Sequence, residues 1–487
     1  MKRYVIFETE KGNRYLYSDK MKSSILMPPL LENFFKDSPL PVEKDENGML
    51  DYYKRKYHFL KNNGVEKSRV ISFVTRPNPE EIKTKLANLK QIVFEVTDAC
   101  NLKCFYCGYG EMYWNHDKRL SNKLPFTKVK LLLDYMMSLW NSSYNFSFNN
   151  TVDISFYGGE PLLNIELIKQ TIAYIEENCS SKLSFSYRMT TNAMLLDKYM
   201  DYLVSKDFHL LISLDGNEYN NSYRVTKNGL NSFPQIVKSI EALRSKYPDF
   251  YNTNIDFNAV LHDRNDYGGI YSYIKDTFDK VPAVSELSDN GIHIDKIDLF
   301  KQMFKSTYEG QKQFYRENES LHKIFASPDD LQTRSLIHGY TGNTYKSLNE
   351  LLKTADEIRH LPSGTCLAFY KKVFLTVNGK ILPCERIGQN YPLGFVDNDK
   401  VEIDFNYIAS LYDKMYTPLT KLCNLCFFQS NCSQCVFNIF DKKVGNKLYC
   451  PTFANKRVMA DYLRENMSYL ETHPNVYEEI IQKDLLI

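Results

Sequence analysis

The chain has 487 residues, 43% hydrophobic and 25% charged, proportions of a soluble globular protein with more than one core. Lys plus Arg number 61 against 59 Asp plus Glu, a net of +2, so there is no electrostatic case for nucleic acid or an acidic membrane surface as partner. Glu8 and Glu10 interrupt any signal-peptide core, and no run is apolar enough to span a bilayer, so a cytoplasmic protein is expected, in which eleven cysteines point to metal more than to disulfides.

Residues 1–88 read as a small α+β unit. Segments 4–8 and 14–17 alternate around Lys11-Gly12-Asn13 and predict a hairpin. Pro28-Pro29 opens a predicted helix over 30–35, and a second covers 50–61 before Asn62-Asn63-Gly64 stops it. From 89 to 300 the pattern is strand then helix, repeated. Strands are predicted at 92–96, 152–156, 183–190, up to Ile212-Ser213, at 254–260 and at 294–299, with helices including 163–177 and 233–244. Six βα units make a partial barrel. Residues 301–360 read as a polar helical linker, and 361–487 as a cysteine-rich region closed by a helix.

The spacing of Cys100, Cys104 and Cys107, x3 then x2, carries the most chemistry. Thiolates are the usual ligands of iron–sulfur clusters. A loop with three of them holds a cubane by three irons and leaves the fourth iron open. The loop follows the 92–96 strand, so it sits at a strand's C-terminal end, where α/β barrels place active sites. Further motifs close the next three strands: Tyr157-Gly158-Gly159-Glu160-Pro161, Thr191-Asn192, and Ile212-Ser213-Leu214-Asp215-Gly216 followed by Arg224.

These motifs, in this order, resemble the radical S-adenosylmethionine (SAM) superfamily. The resemblance implies a partial (β/α)6 TIM barrel with SAM docked on the open iron. It places Gly158, Gly159 and Glu160 at the SAM amino group, Ser213 and Arg224 on the carboxylate, and Phe105 and Tyr106 near the adenine. Asn192 and Asp215 would buttress the site. The bland alternatives are core filling for the two aromatics and helix capping for Asp215. Two strands plus helices ahead of such a barrel resemble the leader-binding element of peptide maturases; the alternative is a plain N-terminal extension.

The tail, Cys366, Cys384, Cys423-x2-Cys426-x5-Cys432-x2-Cys435 and Cys450, resembles the SPASM domain with two auxiliary clusters. The resemblance assigns Cys423, Cys426, Cys432 and Cys450 to one and Cys366, Cys384 and Cys435 to the other. This chain departs from the family in having two residues, where three are usual, between Cys432 and Cys435. It also lacks a fourth cysteine for the second set, so an open or non-cysteine site is expected there. Cys179 is expected to be a buried inert thiol. Taken without the rest, the paired Cys-x2-Cys motifs would read as a zinc site. Glu385 stands where sulfatase maturases carry a catalytic aspartate; the alternative is an ion pair with Arg386.

The cofactors implied are SAM and three [4Fe-4S] clusters, and the partners a precursor peptide with a leader and a flavodoxin- or ferredoxin-type electron donor, with no nucleic acid and no membrane. The expected activity is that of a radical SAM oxidoreductase of SPASM type, a peptide maturase that takes a hydrogen from a ribosomally made precursor and installs a thioether or carbon–carbon crosslink. An anaerobic sulfatase-maturating enzyme forming formylglycine is the alternative, and a peptide-binding scaffold without chemistry the third reading.

Overall fold

At the N-terminus the alternating pattern forms one strand more than it predicts. In the computed structural model, β1 (Tyr4–Glu8), β2 (Arg14–Ser18) and β3 (Ser23–Leu26) make an antiparallel sheet in that order. Every residue is described except 1–2, 37–47, 68–70, 147–150, 180–182, 319–320, 322–326, 342–359, 441, 445–446 and 486–487. Side chains along a strand alternate between faces, and here both faces are apolar. Leu16 packs with Met27, Leu31, Phe35, Tyr57, Leu60 and Val65, largely from the helices Pro29–Lys36 and Met49–Asn62. Val5, Phe7 and Tyr17 pack on the other side with Leu336, Tyr340, Phe427, Met459 and Leu463, from the helices Pro328–Tyr340 and Lys456–Thr472 and the cysteine-rich tail.

The N-terminal stretch, expected as a unit of its own over 1–88, is therefore part of a larger one. Met1–Thr75, Tyr315–Thr365 and Lys414–Ile487 form one compact unit, and Arg76–Phe314 with Cys366–Asp413 forms the other. The reason is that a sheet apolar on both faces must be covered on both, and its own two helices cover one. The 301–360 stretch supplies the helices Thr307–Glu317 and Pro328–Tyr340, while 342–359 of it lies outside the described residues.

The second unit is built on β4 (Gln91–Thr97), β5 (Thr151–Gly158), β6 (Ser184–Thr191), β7 (His209–Ser213), β8 (Ile255–Val260) and β9 (Ala283–Ser285), all parallel and paired in sequence order. This is the partial barrel expected. Crossover helices such as Phe126–Trp140, Ile165–Asn178 and Phe233–Lys246 bury one face each. The sixth strand is not where the sequence placed it. Residues 294–299 begin a helical stretch, Ile294–Lys296 and Ile297–Met303. Ile294, Ile297 and Phe300 recur every three residues, a helical spacing, and Ile294 is 87% exposed, whereas a barrel strand would bury it.

On the far side of β4 the sheet continues with β10 (Lys372–Leu375), parallel to β4, and then β11 (Lys380–Leu382), β12 (Gly394–Val396) and β13 (Val401–Glu402), all antiparallel. The strand that delivers the cysteine loop is thus interior, and six of its seven residues are buried. Among the described residues no helix is long and apolar enough to cross a membrane.

If the N-terminal sheet were an appendage, removing residues 1–75 would leave the rest undisturbed. Instead Phe427, Met459 and Leu463 would lose their cover, and the truncated chain should melt at a lower temperature or fail to stay soluble. Thermal unfolding of the two chains decides it.

Candidate functional site

Cys100, Cys104 and Cys107 leave the end of β4 as a tight loop. Its backbone is pinned by the segment that follows β7: Lys103 N donates to Val225 O at 2.7 Å and Phe105 N to Tyr223 O at 3.1 Å. The three sulfurs lie near enough to feel one another's charge. Burial pushes the Cys100 thiol up to about 11 and the Cys104 thiol up to about 12. Cys100 Sγ accepts from Leu102 N at 3.4 Å and Asn192 Nδ2 at 3.8 Å, and Cys104 faces the charge of Arg224. Donors and a cation aimed at buried sulfur suit thiolates, so the residues fit a cluster held through three cysteines.

The Gly158-Gly159 pair seats this loop. Gly159 N donates to Thr97 O and Glu160 N to Ala99 O, both at 2.9 Å. A Cβ on Gly158, whose φ is +134°, would stand 2.2 Å from Thr97 O, and one on Gly159 2.0 Å from Ala99 O and 3.0 Å from Cys100 N. Only glycine permits so close an approach. Glu160 is fully buried and clamps the next strand end. It accepts from Leu162 N at 3.1 Å, Thr191 Oγ1 at 2.8 Å and Asn192 N at 2.8 Å. Burial raises its carboxyl to about 7 against the pull of those donors. Asn192 in turn donates to Asn101 Oδ1 at 2.7 Å.

Asp215 organises the other side. It is wholly buried and takes the Arg224 fork through Nε and Nη2 at 3.0 Å each. It also accepts from Tyr106 and from Val260 N at 2.9 Å, with His262 Nε2 at 3.7 Å. Burial works to raise the Asp215 carboxyl, but Arg224 and the hydrogen bonds hold it down at about 2. Tyr106 stacks on His262 with centroids 5.5 Å apart. Ser213 is half-buried at the end of β7, opposite Asn258. Phe105 is 60% exposed, so it fills no core. His262 was not among the expected site residues. Its position two residues beyond β8, matching Asp215 two residues beyond β7, is the signal that could have found it.

A third cluster lies between β4 and β10. Glu95 is buried and accepts from Arg119 and from Val377 N at 3.0 Å, and burial raises its carboxyl. Arg119 lies 4.1 Å over the ring of Tyr109, whose buried hydroxyl has no hydrogen-bond partner among the described residues. Glu385 pairs with Lys372 at 3.0 and 3.1 Å, and not with Arg386 as the alternative reading had it. Cys384 Sγ accepts from Arg386 N at 3.3 Å, and burial pushes that thiol up to about 12.

In the other unit Cys423, Cys426, Cys432 and Cys450 line one cavity of about 340 Å3. Ala454 N donates to Cys426 Sγ at 3.4 Å. Backbone N–H groups of Ser363 and Gly364 act likewise on Cys423 and Cys432. Among the described residues no three Cys, His, Asp or Glu side chains draw close enough to hold a single ion. Four thiols lining one cavity, with backbone donors turned to three of them, are a donor set that fits an iron–sulfur cluster. Cys366 and Cys384 belong to the barrel unit and Cys435 to the other. Cys179 caps the helix Ile165–Asn178, half-buried, and burial raises it to about 11.

Residues 94–266 match the family model described as Radical SAM superfamily. The chain is 22% identical over 366 residues to radical SAM cyclopropyl synthase TigE of Paramaledivibacter caminithermalis, covering 74% of this chain and 70% of that protein. It is 26% identical over 182 residues to a cysteine-type anaerobic sulfatase-maturating enzyme of Clostridium novyi, covering 36% and 46%. It spans about half the length of most curated relatives it matches. Among solved structures, native anSMEcpe with bound AdoMet superposes with a TM-score of 0.53 at 16% identity, over 80% of this chain and 99% of that one. At that identity the likeness speaks for the fold.

Two substitutions probe the site. Gly159→Ala should push the loop off its seat and lower the iron retained after anaerobic reconstitution, measured by iron assay per chain. Asp215→Asn leaves Arg224 buried without its partner and should cost about 3–5 kcal/mol in urea unfolding at pH 7. The Asp215 carboxyl is depressed on folding, so its contribution is present above the ordinary carboxylate range and is lost as the pH falls through about 2. The gap between the two chains should therefore narrow as the pH approaches that value.

Proposed function

We propose that residues 94–266, which match the radical SAM family model, work as a radical SAM domain and that the chain is a maturase of a ribosomally made peptide. The observation that carries this is the open edge of the N-terminal sheet. Among the described residues β3 pairs with β2 on one side only. Leu26 at its end is 52% exposed, and the helix Met49–Asn62 that covers this sheet leaves Met49, Tyr52 and Phe59 exposed. An extended leader adds to such an edge through backbone hydrogen bonds, with apolar side chains giving selectivity.

When bound, a reduced cluster and SAM would supply radical abstraction of a hydrogen atom from the substrate. The chain's task is to hold and orient these groups and exclude water. Cys100, Cys104 and Cys107 hold the cluster, and Gly158, Gly159, Glu160 and Asn192 fix the loop and the SAM amino group. Ser213 and Arg224 take the SAM carboxylate. Asp215 pairs with Nε and Nη2 of Arg224 and so fixes the guanidinium. Phe105 and Tyr106 flank the adenine. Cys423, Cys426, Cys432 and Cys450 hold one auxiliary cluster, and Cys366 and Cys384, in the barrel unit, are ligands of a second with an open or non-cysteine position. A flavodoxin- or ferredoxin-type protein delivers the electron. Glu385, held by Lys372, receives a substrate proton.

The sulfatase-maturating alternative draws on the similarity to the Clostridium novyi enzyme and on Glu385. Mass spectrometry after anaerobic incubation with SAM and a reductant separates the readings. A loss of two hydrogens from a cysteine-bearing peptide encoded beside this chain supports a crosslink. Formylglycine on a sulfatase-derived peptide supports the alternative, and no SAM cleavage removes both. Glu385→Gln should still cleave SAM yet yield no product; full product would strip Glu385 of its role.

A further inference from the structure

Arg3 stands just before β1 and is 8% exposed. Its side chain joins a turn of the sheet it begins to the cysteine-rich tail. Nη2 donates to Cys426 O at 2.7 Å and Nη1 donates to Asn424 O, while Nε pairs with Asp19 Oδ2 at 2.8 Å. The guanidinium carbon lies 4.8 Å from the ring centroid of Phe427. Both carbonyls belong to the Cys423-x2-Cys426 turn. Asp19 sits in the turn between β2 and β3, and its own N–H donates to Arg3 O at 3.4 Å.

A clip between two chain segments would need only hydrogen bonds. A guanidinium offers more, a planar fork of donors that stays charged at every accessible pH. Burying that charge is costly unless it is paired, and Asp19 supplies the pairing. We propose that Arg3 fixes the Cys423–Cys426 turn and sets the reduction potential of the cluster held there, so that the N-terminal sheet is an electrostatic part of the auxiliary site. The inference rests on the reading of Cys423, Cys426, Cys432 and Cys450 as cluster ligands. Reduction adds one negative charge to a body already carrying four thiolates. A nearby buried cation stabilises the reduced form more than the oxidised one, because the low local dielectric leaves the attraction poorly screened. Arg3 therefore raises the potential, and Asp19 partly offsets it.

The test is a potentiometric titration followed by electron paramagnetic resonance on the full chain, reconstituted anaerobically with iron and sulfide. Cys426→Ala identifies the auxiliary signal as the one it abolishes. In Arg3→Met that signal should move to a more negative potential with the iron count unchanged and the signal of the Cys100 loop unmoved. Arg3→Lys keeps the charge and should move it less. Asp19→Asn should move it the opposite way, to a more positive potential. An unmoved signal in Arg3→Met, or equal shifts in the Met and Lys variants, overturns the inference alone. If Arg3→Met does not fold, Asp19→Asn decides: a positive shift supports the inference, and no shift or a negative one overturns it. A wild-type chain with no signal that Cys426→Ala removes overturns the cluster reading and this inference together.

Discussion

The site depends on two strands meeting backbone to backbone. Gly158 and Gly159 lie so close to the carbonyls of Thr97 and Ala99 that no side chain fits between them. That approach continues the β4–β5 ladder past the end of the strands and into the cysteine loop. The loop is thereby held as rigidly as sheet, although it has the sequence of a turn. Glu160 extends the same constraint to β6 by accepting from Leu162, Thr191 and Asn192. A residue that the resemblance places against a ligand is also the brace between three strand ends.

Beside that seat a buried charge pair does the orienting. Asp215 and Arg224 are both withdrawn from water, which costs each of them solvation that only a close, well-formed pair returns. The pair is bidentate, and Asp215 has Tyr106 and Val260 N as further donors. Such an arrangement fixes a guanidinium before any ligand arrives, which lowers the ordering cost of binding. Tyr106 couples the network back to the cysteine loop, since it lies between Cys104 and Cys107 in the chain.

The cysteine-rich tail divides between the two units. Its first part, with Cys366 and Cys384, extends the barrel sheet through β10 to β13. Its second part, with Cys423, Cys426, Cys432 and Cys450, shares a core with the N-terminal sheet, where Phe427 packs among Val5, Phe7 and Tyr17. Each set of cysteines is thus supported by apolar packing contributed from far away in the chain. Cavity-lining thiols need such support, because a loop of that length has no core of its own.

Periodicity and local spacing made much of this legible from the amino acids alone. The hairpin at Tyr4–Glu8 and Arg14–Ser18, five of the six barrel strands and the cysteine triad are short-range patterns, decided within a few residues by side-chain alternation and by turn chemistry. The stretch 294–299 differs from its expected strand because Ile297 and Leu299, two apart, fit a strand, while Ile294, Ile297 and Phe300, three apart, fit a helix, and the exposure of Ile294 separates the two. What only the tertiary structure decided were the non-local pairings: Lys372 for Glu385, Arg119 for Glu95, His262 beside Asp215, and Arg3 on the Cys426 turn. Each joins residues brought together by the order of strands or by a shared core. A charge leaves no trace of its partner in the sequence around it, because Coulomb attraction and burial act through space and not along the chain.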